Sequence, residues 1–192
     1  MIAAAKQYNI DPVYFLCQTI LETGYGTSTL SQGKAITTVV SGSSVVRDSS
    51  ENVTGFKTVN GKYKTSTISK KMVYNLYGIK AYDSNPQLCG FSYAYYQGWT
   101  SVDAAIYGAA KYVSQDYIHN QTYHQNTLYK FRYNPNINYL WHEYATDPSY
   151  ANRSLRSCIV SSVMFIDQMC HLHMINHTSI RFLICSWPNC RF

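Results

Sequence analysis

TILETGYGTSTL, residues 19–30, sets Glu22 at the end of an apolar segment in a 192-residue chain that has only three glutamates. Upstream, Asp11 reads as an N-cap, Pro12 as the first helical residue and Gly24 as the stop, so the punctuation predicts a helix over 11–23. Val13, Leu16, Cys17, Ile20 and Leu21 recur at helical spacing and are expected to form its core-facing stripe. Glu22 falls on a different line, above Gln18 and Phe15. A helix C-terminus carries partial negative charge, so a carboxylate there is disfavoured as an anion. A ring beneath it adds to the effect, and Glu22 is expected to hold its proton more tightly than an ordinary glutamate.

Outward from this helix, GYGTSTLSQG (24–33) reads as a glycine-hinged turn. Residues 35–72 are rich in Thr, Ser and Val, with VNG at 59–61 as a hairpin signal, and predict a small β lobe or flap. Loops are expected at 83–86 and at Gly90. A helix is expected over 101–118, with Val102, Ala105, Ile106, Ala109 and Val113 as apolar positions and Thr100 and Asp103 as its capping box. Helices interrupted by one strand-rich insertion make an α+β class, mainly α, with a cleft between two lobes.

Hydrophobic residues make up 46% and charged ones 14% of the chain, the balance of a globular domain rather than a disordered segment. The net charge of +6 suits an anionic partner, which nucleic acid, an acidic membrane or an acidic cell-wall polymer could each supply. No Lys/Arg-rich run of the kind found in nucleic-acid patches occurs, so nucleic acid is not expected as a partner. Nor does any apolar run approach the roughly 20 residues of a membrane span. The opening MIAAAKQYNIDP lacks the apolar centre and cleavage site of a signal peptide. The chain is therefore read as cytoplasmic, exported by another route, or a piece of a longer exported protein. Nineteen tyrosines fit sugar contacts and half-buried packing alike.

The vocabulary changes near residue 155. All 10 glycines and all 19 tyrosines precede residue 151, whereas four of six cysteines and three of six histidines follow Leu155. Cys170, His171, His173 and His177 are spaced closely enough to suggest zinc, although the usual order of two Cys before two His is missing. A disulfide-bearing appendage and a tail produced by a shifted reading frame are the other readings. The organisation expected is a domain over 1–154, with its β lobe at about 35–72, and an atypical tail over 155–192 outside the catalytic fold. Cys17 reads as a small core residue.

Five blocks in order, ILETGYGTSTLSQG, VYNLYGIKAYDSNPQLCG, YAYYQGWTSVDAAIYGAAKYVSQDYI, QNTLYKFRYNP and HEYATDPSY, resemble the endo-β-N-acetylglucosaminidase domains of bacterial autolysins and phage lysins, the family-73 glycoside hydrolases. The resemblance covers roughly residues 2–153. It implies a lysozyme-like fold with a small β-rich lobe and a central cleft. It also implies hydrolysis of peptidoglycan glycan strands after N-acetylglucosamine, without amidase activity. The glutamate of the ETGYGTS block is the family's general acid, here Glu22, and such an acid must be protonated at working pH. Glu51, beside Asp48 in the β lobe, is the candidate second carboxylate, with assistance from the substrate's acetamido group as the alternative. Asn75 and Tyr77 are expected to contact sugar, with Gln97, Tyr117 and Asn126 as further substrate-binding candidates.

Trp99 is read as core, and His142 and Asp147 as structural, since no nucleophile elbow accompanies them. No cofactor or metal is implied. The partner is peptidoglycan, the place of action the cell wall or extracellular space, and the form a monomer or a fragment of a longer protein. Against the family pattern the chain starts one helix short, has a long 37–70 stretch, and carries the odd tail. A muramidase using the same acid and a non-catalytic glycan-binding remnant are the competing functions.

Overall fold

The computed structural model describes residues 1–153. The candidate zinc ligands, the cysteine-pairing question and the proposed tail over 155–192 lie outside the described residues. Helix α1 spans Ile2–Gln7 and α2 Pro12–Glu22; a turn leads to α3, Thr29–Gln32. Four strands follow, β1 Lys34–Val40, β2 Val45–Arg47, β3 Val53–Phe56 and β4 Thr65–Val73. Then come α4 Pro86–Tyr96, α5 Val102–Val113, a π-helical turn Ser114–Ile118, and α6 Leu128–Arg132. Another helical turn opens at Tyr150. The class is α+β, mainly α. A helix therefore does precede α2: Ala4 and Ala5 are buried, and α1 corrects the expectation of a missing one.

Capping follows the punctuation of the sequence. The Asp11 carboxylate accepts from the Tyr14 N–H at 2.8 Å and Pro12 opens α2. Asn85 and Pro86 do the same for α4. For α5 the cap is Ser101, whose hydroxyl accepts from the Ala104 N–H at 3.1 Å, rather than the box of Thr100 and Asp103. Gly90 is not in a loop: it sits inside α4, where the Leu30 side chain presses at 3.0 Å on the position a Cβ would take.

The β lobe is two antiparallel pairs. β1 pairs with β4, from Lys34 opposite Val73 to Val40 opposite Thr65, with a slip between Ile36 and Thr38; β2 pairs with β3. The VNG signal is a tight hairpin turn, with Asn60 and Gly61 both at positive φ inside the Val59–Lys62 bridge. Helix α4 anchors the lobe at Val40, whose N–H donates to the Ser92 hydroxyl and whose carbonyl accepts from Tyr96, each at 2.7 Å. Trp99 is buried as expected, edge-on to Tyr93 at 5.4 Å.

The buried face of α2 is not the aliphatic stripe. Phe15, Cys17 and Gln18 are the buried residues of the helix, while Val13 is 54% exposed and Leu16, Ile20 and Leu21 are half-buried. The helix turns Phe15, Gln18 and Glu22 inward: the Phe15 ring lies 6.2 Å from Tyr77, and Gln18 hydrogen-bonds Glu22 and Tyr150, bonds an aliphatic side chain could not make.

Candidate active site

Glu22 is the last residue of α2, and the chain must reverse at once to leave it facing space. Gly24, Tyr25 and Gly26 all take positive φ, so two glycines supply most of a left-handed turn that other residues resist. The turn also caps the helix. Thr23 N–H donates to the Thr19 carbonyl, Gly24 N–H to Leu21 and Tyr25 N–H to Ile20, at 3.0, 3.0 and 2.8 Å. With those carbonyls satisfied, the helix end is a smaller part of Glu22's discomfort than burial. Burial raises the carboxyl above its ordinary value of 4.5, against the opposing pull of hydrogen bonds from Tyr144 and Gln18.

A cleft of about 420 Å³ opens beside this carboxyl, walled by Glu22, Tyr77 to Lys80, Tyr112 from α5, and Tyr144 to Asp147. Asn75 sets the first wall. It is fully buried; its Nδ2 donates to the carbonyls of Ile79 and Gly90 and its Oδ1 accepts from the Ile79 N–H, all within 3.0 Å. Every polar atom is engaged inside the protein, so Asn75 shapes the loop and does not itself meet a ligand. That loop brings the Tyr77 hydroxyl to 3.0 Å from the Thr19 hydroxyl, on the same helix as the acid.

The opposite wall rests on stacked rings. Tyr117 lies 5.4 Å from Phe131, 5.1 Å from His142 and 5.0 Å from Tyr144, and shares a 3.3 Å hydrogen bond with Tyr112. Tyr117 thus supports the wall from behind. His142 is structural, as read: it stacks on Tyr123 at 3.6 Å and pairs with the Gln125 side chain at 2.6 Å. Gln97 ends α4 and Asn126 is exposed, holding the Lys130 ammonium at 3.0 Å; neither lines the cleft.

Glu51 and Asp48 are not in the cleft lining either. Asp48 caps its own turn, accepting from the backbone N–H groups of Ser50 and Asn52 at 2.9 Å. Glu51 is 84% exposed and approaches Arg47 at 3.8 Å. The carboxylate that does share the cleft with Glu22 is Asp147, from the YATD stretch. Ser149 gives it an N–H and a hydroxyl at 2.9 and 2.7 Å, and Arg153 a guanidinium at 2.9 Å. Those donors hold its carboxyl down to about 2. The cleft thus carries one carboxyl pushed up by burial and one held down by its hydrogen bonds and Arg153. The sequence reading took Asp147 as structural, because no nucleophile elbow accompanies it. Among the described residues, no cluster of His, Cys, Asp and Glu is arranged to hold a metal.

Residues 1–160 match the glucosaminidase family, whose description is mannosyl-glycoprotein endo-beta-N-acetylglucosaminidase. A beta-N-acetylglucosaminidase of Bacillus subtilis (strain 168) is 40% identical over 154 residues, covering 80% of this chain and 14% of that protein. A bifunctional autolysin of Staphylococcus epidermidis is 36% identical over 149 residues, covering 78% of this chain and 9% of that protein. The chain thus spans a small part of the length of these curated relatives. Among solved structures, a catalytic mutant of Staphylococcus aureus autolysin E, one glutamate replaced by alanine, is in complex with the disaccharide NAG-NAM. It superposes with a TM-score of 0.55 at 28% identity, covering 85% of this chain and 58% of that one.

Proposed function

The chain belongs to the glucosaminidase family, and from that premise we propose that it hydrolyses the β-1,4 bond after N-acetylglucosamine in peptidoglycan glycan strands. The observation that carries the reading is Glu22: a half-buried carboxyl with a raised pKa, at the wall of a tyrosine-lined cleft. A glutamate is also the residue removed in the catalytic mutant of autolysin E.

In this reading Glu22 gives its proton to the glycosidic oxygen as the bond to the sugar's C1 breaks. Asp147, ionised at any working pH, faces the positive charge that grows at C1. Water adds at C1 to form the new reducing end, and the proton it sheds restores the pair. Tyr77, Tyr112 and Tyr144 offer ring faces and hydroxyls to the sugars. The domain acts over 1–154, at the cell wall, as a monomer or as part of a longer protein.

The test is to digest purified peptidoglycan, reduce the products with borohydride and identify the reduced sugar by mass spectrometry. Reduced N-acetylglucosamine is the expected product. Reduced N-acetylmuramic acid would mean a muramidase, and no release at all a glycan-binding remnant.

A further inference from the structure

Behind Glu22 lies a buried polar chain that the reaction scheme above leaves unused. Gln18 is wholly inaccessible, one helical turn before Glu22. Its Nε2 donates to Glu22 Oε1 at 2.7 Å. Its own Oε1 accepts from the Tyr150 hydroxyl at 2.8 Å, a contact that reaches from the second helix of the chain to the helical turn opening at Tyr150. A buried glutamine is costly unless both ends of its amide are engaged, and here both are. The acid fixes which way the amide points: the Glu22 carboxylate only accepts, so the NH₂ faces it and the amide oxygen is left to accept from the Tyr150 hydroxyl.

We propose that Gln18, oriented by Tyr150, is a positioning residue that decides which oxygen of Glu22 carries the transferable proton. It rests on the glycosidase reading. An oxygen that accepts a 2.7 Å hydrogen bond is the carbonyl oxygen of a neutral carboxyl. Tyr144 adds a second hydrogen bond to the carboxyl; with Oε1 held as acceptor by Gln18, the proton is assigned to Oε2, where no amide oxygen of Gln18 can capture it. The reversed amide would present its oxygen to Glu22 and bind that proton on the protein side. Tyr150 disfavours the reversal, because its hydroxyl would have to give up its acceptor. After the transfer, the same N–H of Gln18 stabilises the carboxylate that remains.

The experiment compares wild type, Gln18→Met and Tyr150→Phe. Gln18→Met keeps the length of the side chain and removes the donor; Tyr150→Phe removes a single hydroxyl and covers the case in which the methionine variant folds poorly. The first readout is the pH–rate profile on purified glycan strands. The second is a ¹³C NMR titration of the Glu22 carboxyl, which needs no turnover. Losing a donor to the anion favours the proton, so the high-pH limb of the profile and the titration both move upward in Gln18→Met, and less far in Tyr150→Phe. The rate at the optimum falls roughly a hundredfold in Gln18→Met, as expected when a reacting group is no longer held in place. Variants that fold, lose rate and leave both the limb and the titration unmoved would overturn the proposal, since a structural role alone predicts that pattern. An upward titration in a protein that never cleaves glycan would keep the hydrogen-bond chain but remove its catalytic purpose, which overturns the proposal by way of the function it rests on.

Discussion

At the scale of single residues, Glu22 trades stability for chemistry. Its folded-state pKa lies above the ordinary 4.5, chiefly through burial. For a group raised on folding, the stability it contributes is present in full below 4.5 and is lost as pH rises through the folded value. Glu22→Gln, which removes the ionisation, should therefore melt at a higher temperature than wild type near neutral pH. The difference should disappear at pH values below 4.5. Thermal scans at the two pH values check this, and an unchanged difference would mean the carboxyl is not strained. Asp147 has the opposite sign: its contribution is present above 3.8 and fades as pH falls towards about 2. Glu22 was marked in the sequence by its place at a helix end. The reason given there ranked the helix dipole first, whereas the tight Thr23–Tyr25 turn answers the terminal carbonyls and burial dominates.

At the scale of elements, the start of α2 and the inward face of α5, where Ala105, Ala109 and Val113 are buried as expected, were legible, and the inward face of α2 was not. Asp11 and Pro12 announce α2 because capping is local chemistry within one turn. The inward face of α2 depends on Tyr150, 132 residues further on, so no pattern within the helix could favour Gln18 over Val13. Asn75 was placed among sugar contacts because the family resemblance sets its segment beside the acid, and only the positions of Ile79 and Gly90 show it closing a loop. Asn75→Ala would strand the buried Ile79 N–H and carbonyl and remove a second donor from the Gly90 carbonyl, at a cost of about 3 kcal/mol. Denaturant unfolding would measure it, and kcat should fall as Tyr77 loses its support. In α5, a Cβ at Gly108 would run into the Trp99 indole. Gly108→Ala is expected to cost roughly 1–3 kcal/mol by overpacking, read by the same unfolding experiment, although alanine is the better helix former.

At the scale of the whole molecule, charge is unevenly spread. Residues 34–80 hold eight Lys and Arg against two Asp and Glu, so this segment alone accounts for a charge equal to the chain's net +6. Adsorption to an anionic cell wall should weaken steeply as salt rises above physiological strength, because exposed charges are screened over about 8 Å there. Cleavage of a short neutral oligosaccharide should respond far less, and a pull-down on purified walls at graded salt separates the two. The central claim, that Glu22 supplies the proton to the leaving oxygen, has a more direct test. Wild type and Glu22→Gln would be compared on a natural glycan and on a chito-oligosaccharide with an acidic aryl leaving group, which departs without protonation. The account predicts that the variant loses roughly a thousandfold on the glycan and little on the aryl substrate. Equal losses on both would contradict it.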